Sequence, residues 1–468
     1  MSTPALKSDV HTPIDQNRPF GWRDKFGYLF GDLGNDFFFI LTSSFLMVFY
    51  TDIFHISAAT VGILFLVARL WDAFADMAWG RFIDTRKATP TGKFKPWILR
   101  MSLPLVVSGV LMFVSIPGMS DGFYLAWAFV TYIVWGTLYS TVNIPYGSMA
   151  SVITEDPVHR TTLSTWRTMG AMLAGLVIGV LGPLIVFVDN KISADRMFMA
   201  SVIFGVLAIC CYLACYKLST ERIVASEATK EKMNMRTTMK SLVKNKPLIS
   251  ILAASLIMLV CTMLSGTVNT YLFKDYFGNT AALSVVGLSQ IVATFLAIPL
   301  AKPLVARFGK KEIASMGMLI ASISYFILFL LPEPTVTQYI IVAGIGMFGM
   351  GFMSIVSWAF VTDVIDYHEF LSGLREDATV YALYSMARKI GQAIAGGIGG
   401  FAIAAVGYNA SIEKQSEDTL QGIFSLATLV PGIIFLVVFL ILVFFYPLNK
   451  QRTNQLSSDL VARRNKHL

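Results

Sequence analysis

Charge is scarce in this sequence. Of its 468 residues only 14% are charged, against about a quarter in an ordinary soluble domain. Hydrophobic residues make up 55%, in long runs from end to end, so lipid must be the solvent for most of the surface. Cysteine is also sparse. Cys210, Cys211, Cys215 and Cys261 all fall inside apolar runs, which excludes a disulfide framework or a zinc site and leaves small buried residues. Residues 1–19 lack the apolar core of a cleaved signal peptide, so the first spanning helix is expected to act as the insertion signal. There is no nucleophile–base pair, phosphate-binding loop or attached soluble catalytic domain, which argues against an enzyme. The net charge of +8 sits in short loops, not in a basic domain with interleaved aromatics, which argues against nucleic acid.

What is present is a series of spans. A crossing helix needs roughly 20 apolar residues, which gives about twelve candidates. They lie near 25–50, 58–83, 97–117, 122–152, 163–188, 197–217, 248–273, 281–306, 312–332, 337–365, 379–406 and 420–446. Lys and Arg collect in alternate loops, as in Arg81, Arg86, Lys87, Lys93 and Lys95, then Arg160, then Arg307, Lys310 and Lys311, then Arg375. Both tails are basic as well, so both termini are expected in the cytoplasm of a bacterial cell. The longest polar stretch divides the chain. The expected organisation is a cytoplasmic tail 1–22, a six-helix bundle 23–217, a basic linker 218–246, a second six-helix bundle 247–447 and a tail 448–468. This is the all-α major facilitator pattern, two pseudo-symmetric bundles around a midplane site.

Ionisable residues in mid-span demand explanation, because each costs on the order of a few kcal/mol to bury. Asp32 and Asp36 lie in the first span, Asp72 and Asp76 in the second, Arg167 in the fifth, and Arg388 and Lys389 in the eleventh. Asp72 and Asp76 share one helix face, a turn apart. Two such acids repel unless a cation sits between them or one is protonated. The alternative is that each pairs with a nearby Arg or Lys. Asp36, Arg167 and Lys389 would offer acceptors and donors to a hydroxyl-rich solute, or else form a structural Asp–Arg pair. YSTVNIPYG (139–147) places Tyr139, Asn143 and the helix breaker Pro145 in the fourth span, which is expected either to be interrupted there, freeing polar groups for a sugar, or to carry a mere proline kink satisfied by Thr141. Small residues at Gly391, Ala395, Gly396, Gly399 and Gly400 read as close helix packing. TDVIDYHEF ends the tenth span with Asp363, Asp366, His368 and Glu369. Facing cytoplasm, these suit an ionic gate, pairing with loop arginines such as Arg375, better than a metal. The remaining histidines lie at span ends or in tails and are assigned no role.

The stretches GDLGNDF (31–37), YTDIF (50–54), LWDAFAD (70–76), GKFKPW (92–97), YSTVNIPYGS (139–148), DVIDYHEF (363–370) and RKIGQAIAGG (388–397) resemble the glycoside–pentoside–hexuronide:cation symporter family, which includes the melibiose and glucuronide permeases. They occur in the family's order over essentially the whole chain. The resemblance implies symport of a sugar or glycoside with a monovalent cation, without a cofactor, by a monomer in the plasma membrane. It assigns Asp72, Asp76 and Ser140 to the cation, and Asp36, Asn143, Arg167, Ser385, Arg388 and Lys389 to the substrate, to which Tyr139 adds a polar group from the fourth span.

Two departures from the family pattern refine it. Asn143 is neutral where melibiose carriers are acidic, which with Arg388 favours a hexuronide or other anionic glycoside and leaves pentosides open. Ala75 replaces the Asn common in sodium users and offers no side-chain oxygen, which favours H+ slightly over Na+. Asp84, Arg86, Asp363, Asp366, Glu369 and Arg375 are expected to form a cytoplasmic gate that stabilises the outward-open state. An uncoupled sugar facilitator and a drug–proton antiporter of the same fold are the competing readings.

Overall fold

The computed structural model describes residues 18–372, except 87, 155 and 223–244, and 391–466, except 392, 393, 396 and 413; some side chains within helices are also outside the description. The basic linker and most of the eleventh span therefore lie outside the described residues.

The chain is built from apolar helices punctuated by capping residues. Helix α1 (Trp22–Leu41) passes through a π-helical turn (Thr42–Leu46) into α2 (Met47–Asp52). Then follow α3 (Ala58–Asp84), α4 (Lys95–Leu111), α5 (Asp121–Ile153), α6 (Pro157–Val186) and α7 (Ala194–Leu218). The second half comprises α8 (Lys246–Tyr271), α9 (Ala282–Phe308), α10 (Lys310–Leu330), α11 (Val336–Ser372) and α12 (Glu417–Leu440), with α13 (Lys450–Lys466) after it. Ser120, Ser193, Asn245 and Ser416 cap α5, α7, α8 and α12, each accepting an amide at the third residue on. Ten helices are long and apolar enough to cross a membrane among the described residues. The third expected span is α4, shorter than anticipated because the chain turns after Leu111. The fourth is one continuous helix, so the interruption expected at Pro145 is not formed. The C-terminal tail is helical as α13 and packs on α10 and α11.

In the first half α1 packs on α6 and α7, α3 on α5, and α4 on α5 and α7; in the second α10 packs on α11 and α12, α9 on α11, and α12 on α8. Side chains such as Leu330, Phe444 and Phe295 remain exposed, as lipid-facing surface requires. Missing side chains set the closest crossings. Gly317 of α10 and Gly349 of α11 face each other so closely that a Cβ on either would clash with the other's carbonyl oxygen. Gly349→Val should therefore lower the thermal unfolding midpoint in detergent by several degrees. Gly344→Val, on the same helix with no neighbour near its Cβ, should leave it within about a degree. Equal midpoints would show that the crossing is not load-limited by these glycines.

Candidate functional site

Two charged clusters are built inside the first half. The first lies between α3 and α5. The Asp72 carboxyl reaches α5 at Gly136, where a Cβ would collide with its Oδ1. Gly136 thus makes the seat that the carboxyl occupies. Asp72 Oδ1 is buried without a hydrogen-bond partner among the described residues. Oδ2 faces Arg69 Nη1 at 3.5 Å, the outer limit of a hydrogen bond. Asp76, half-buried one turn on, acts electrostatically on both Asp72 and Arg69. Ser140, one turn beyond Gly136 on α5, is buried and donates to the Gly136 carbonyl at 3.3 Å. That leaves its oxygen lone pairs as acceptors. The pairing alternative considered for Asp72 is thus met by one long contact from Arg69. Arg69 is a site residue that the sequence reading missed. The signal was present, since it is a mid-span cation three residues before Asp72.

The second cluster lies between α1 and α6. A Cβ on Gly170 would sit 2.5 Å from the Leu29 carbonyl oxygen, so only glycine lets α6 close on α1 here. One turn earlier on α6, Arg167 Nε reaches Asp32 Oδ1 at 2.9 Å. Asp32 is buried, whereas the Arg167 side chain is 44% exposed. The guanidinium also lies 5.4 Å from the Tyr146 ring centre. The Tyr146 hydroxyl is fixed by donating to the Tyr28 carbonyl at 2.7 Å. Asp36, one turn past Asp32, feels the charges of both Asp32 and Arg167 but does not hold the direct ion pair. Asp32, noted only as a buried acid, is the residue that takes Arg167.

Tyr139 of α5 stands between the clusters. Its ring stacks on Phe39 at 6.1 Å, and the Arg69 guanidinium lies 5.5 Å from the same Phe39 ring centre. Asp32, Asp36, Arg167 and Arg69 all act electrostatically on the Tyr139 hydroxyl. Asn143 follows one turn later on α5 and is half-buried. Ser385, Arg388 and Lys389, the residues anticipated from the second half, lie outside the described residues.

Of the anticipated gate residues, Asp363 pairs with Lys310 Nζ at 2.6 Å, where an arginine partner such as Arg375 was expected; Arg375 lies outside the described residues. Asp366 and Glu369 occupy the last turns of α11. Asp84 ends α3, with its side chain outside the description, and Arg86 stacks on Phe82 at 4.4 Å.

The halves meet at the opposite end. Asp52, the last residue of α2, is bonded to Lys274, which also contacts Tyr408 Oη at 2.8 Å and Asp275 at 3.2 Å. Tyr408 returns a hydrogen bond to Asp52 at 3.1 Å, and Thr51 pairs with Tyr271 at 3.0 Å. A hairpin, β1 (Phe187–Val188) with β2 (Lys191–Ile192), turns through Asp189 and Asn190, both at positive φ. Asn190 accepts from the Thr280 amide at 2.9 Å. Gly62 of α3 and Gly400 cross so closely that a Cβ on Gly400 would lie 2.5 Å from the Ala58 carbonyl. The anticipated packing role of the small residues is seen here, although Gly396 is outside the description. Lys274 takes two of its partners, Asp52 and Tyr408, from more than a hundred residues away in sequence, which hides the contact from any local reading.

Comparison with known proteins adds the following. A family described as MFS/sugar transport protein matches residues 27–450. The Bacillus subtilis "Uncharacterized symporter YjmB" is 34% identical over 96% of this chain and 97% of its own length. The Escherichia coli "Glucuronide carrier protein homolog" is 31% identical over 96% and 97%. The Lactiplantibacillus pentosus "Isoprimeverose transporter" is 35% identical over 86% and 84%. Among solved structures, the xylose transporter XylE from E. coli superposes with a TM-score of 0.59 at 14% identity, covering 92% of this chain and 98% of that one.

If the Asp32–Arg167 bond acts as a unit, Asp32→Asn and Arg167→Gln should lower uptake to similar extents, and the double variant should be no worse than either single. Fully additive losses would show the two act separately. At the other end, Asp52→Asn or Lys274→Gln should move spin-label distances between Ser57 and Asn409 to longer values. An unchanged distribution would show that this contact does not hold the halves together.

Proposed function

The chain belongs to the MFS/sugar transport protein family, with relatives that fit the glycoside–pentoside–hexuronide:cation symporters, and we propose that it is a secondary active transporter that carries a sugar or glycoside together with a monovalent cation. It is a multi-pass membrane protein of the major facilitator fold and not an enzyme. The observation that carries the coupled reading is Asp72 Oδ1, a buried carboxyl oxygen with no partner among the described residues. Such an orphan is destabilising unless a positive ion satisfies it. Asp72, Asp76 and Ser140 supply the oxygens. Arg69 limits the negative charge of the site, so one proton or one monovalent ion suffices to neutralise it. Ala75 adds no side-chain oxygen, which supports H+ over Na+.

The substrate binds, in this reading, across Asp36, Tyr139, Asn143 and Arg167, with Ser385, Arg388 and Lys389 completing the site from the second half. The exposed edge of Arg167 and the neutral Asn143 suit an anionic or pentosidic sugar. The relatives described as a glucuronide carrier homolog and an isoprimeverose transporter support the same pair of classes. Tyr139 feels Arg69 of the first cluster and Asp32, Asp36 and Arg167 of the second, so a change of charge beside Arg69 would reach the sugar site through it. Coupling through it is reciprocal: the ion raises sugar affinity by the factor the sugar raises ion affinity.

With the basic loops and both termini in the cytoplasm of a bacterial cell, the Asp52–Lys274–Tyr408 contacts close the external side, and the clusters open inward. Alternating access then requires these contacts to part as the cytoplasmic side closes. Asp84, Arg86, Asp363, Asp366, Glu369 and Arg375 form the gate on that side. Asp363 would exchange Lys310 for a partner across the halves. The working unit is a monomer.

The test is uptake by energised membrane vesicles across a panel of glucuronides and xylosides, with proton and sodium gradients imposed separately. Asp72→Asn and Asp76→Asn should each abolish uphill accumulation while leaving sugar exchange at equal ion concentrations measurable. A proton gradient alone should drive the parent. Undiminished accumulation in both variants would remove the ion site, and accumulation driven only by sodium would reverse the choice of ion.

A further inference from the structure

The closed end brings two carboxyl groups to one ammonium. Asp52 comes from the first half, Lys274 and Asp275 from the second, and their side chains are 16%, 9% and 17% exposed. Asp52 is well supplied. Its Oδ2 takes Lys274, and its Oδ1 accepts from Tyr408 at 3.1 Å with the Thr51 hydroxyl at 2.8 Å. Lys274 gives a second N–H to Tyr408 Oη at 2.8 Å. Asp275 is left with an ion contact to Lys274 at 3.2 Å that lacks the alignment of a hydrogen bond. Its Oδ2 is buried without a hydrogen-bond partner among the described residues.

Asp275 lies past the expected span 248–273, in the π-helical turn Leu272–Tyr276. The charged side chains that act on it among the described residues are Lys274 of its own turn and Asp52 of α2. Tyr271 of α8 and Tyr408 face the same two acids, and a tyrosine hydroxyl is neutral in the physiological range. On the other elements packed against this turn, Glu417 at the start of α12 and Glu333 before α11 act on Tyr276. Tyr339 of α11 donates to Asn269 at 3.2 Å.

With this end closed, two acids share one base in a largely buried place. Parting the halves carries Asp52 away on α2 and leaves Lys274 beside Asp275 alone, one charge of each sign with water admitted. A carboxyl binds a proton more readily in the first setting than in the second, because a second carboxylate is near and water is not. We propose that Asp275 takes up one proton as the external side closes and releases it as that side opens, so that acid on that face favours the closed gate. The parting of the halves is the alternating-access reading given above, and this proton is distinct from the coupling ion at Asp72. By linkage, the conformation that binds the extra proton gains as pH falls, up to about tenfold per pH unit for one proton, and loses that gain as pH rises.

The experiment measures distances between spin labels at Ser57 and Asn409 in the full-length protein in lipid nanodiscs, without sugar. It compares about pH 8 with about pH 5, where an ordinary aspartate is still charged. The ratio of short to long distances should rise about tenfold in the parent at the lower pH. Asp275→Asn, an uncharged copy of the protonated acid, should be as closed at both pH values as the parent is in acid. If Asp275 merely braces Lys274, the same variant opens the gate instead, and the proposal falls. Asp52→Asn leaves one acid with one base and should lose the pH response, which serves if Asp275→Asn does not fold. A parental response in either acid variant overturns the proposal. His55, three residues after Asp52, is a histidine and could titrate in this range. Glu413, the acid closest in sequence to Tyr408, lies outside the described residues. His55→Gln and Glu413→Gln should both keep the parental response, and its loss in either places the proton elsewhere. Asp72 is intact throughout and no uptake is read, so failure here leaves the symport reading untouched.

Discussion

A carboxyl group inside a lipid-embedded helix bundle must be satisfied, and the interior of this protein is arranged around that requirement. Asp32 meets it with Arg167. Asp52 meets it with Lys274 and Tyr408, and Asp363 with Lys310. Asp72 meets it on one side only, through a long contact with Arg69. The unequal treatment of these acids separates structure from function. Pairs at close range hold helices or halves in register. The oxygen of Asp72 that is buried without a partner among the described residues is the one the proposed coupling cation would satisfy.

Glycine makes these arrangements possible. In lipid there is little hydrophobic gain from bringing helices together, so contact depends on close packing and on polar bonds. Gly170 lets α6 approach α1 and places Arg167 on Asp32; Gly136 makes room for the Asp72 carboxyl; Gly62 and Gly400 let the halves touch at one end. Two of the charged contacts, Asp32–Arg167 and the Asp72 seat, thus have a glycine beside them. A side chain at such a glycine would move a charge by an ångström or more without altering any charged residue.

The closed end shows how little material is needed to join two bundles that must also separate. Among the described residues the halves are joined by an ionic cluster, the Thr51–Tyr271 hydrogen bond, a hairpin tip, backbone crossings and the packing of α6 on α9. The ion pair is largely buried, and the cost of desolvating both charges offsets much of their attraction, which keeps the net contribution modest. A contact of this kind can be broken and re-formed within the differential binding free energy of a small solute and an ion.

Sequence alone determined the all-α membrane class, the approximate spans, the family and the identity of most buried acids, because hydrocarbon imposes the same local rule on every span: about twenty apolar residues, with any charge in need of a reason. The Asp72–Asp76 spacing was legible because it depends only on helical repeat. Arg69 was equally legible and was overlooked. What the sequence did not determine was which acid each cation takes. Arg167 is as close to Asp36 as to Asp32 in any one-dimensional reading, and the choice fell to the depth of contact that Gly170 allows between α1 and α6. The pairing of Asp52 with Lys274 and Tyr408 was likewise beyond reach, since it joins elements from both halves and exists in only one arrangement of them. Pro145 was expected to interrupt its helix, and α5 runs through it unbroken. Local chemistry fixes what must be satisfied, and only tertiary packing decides by whom.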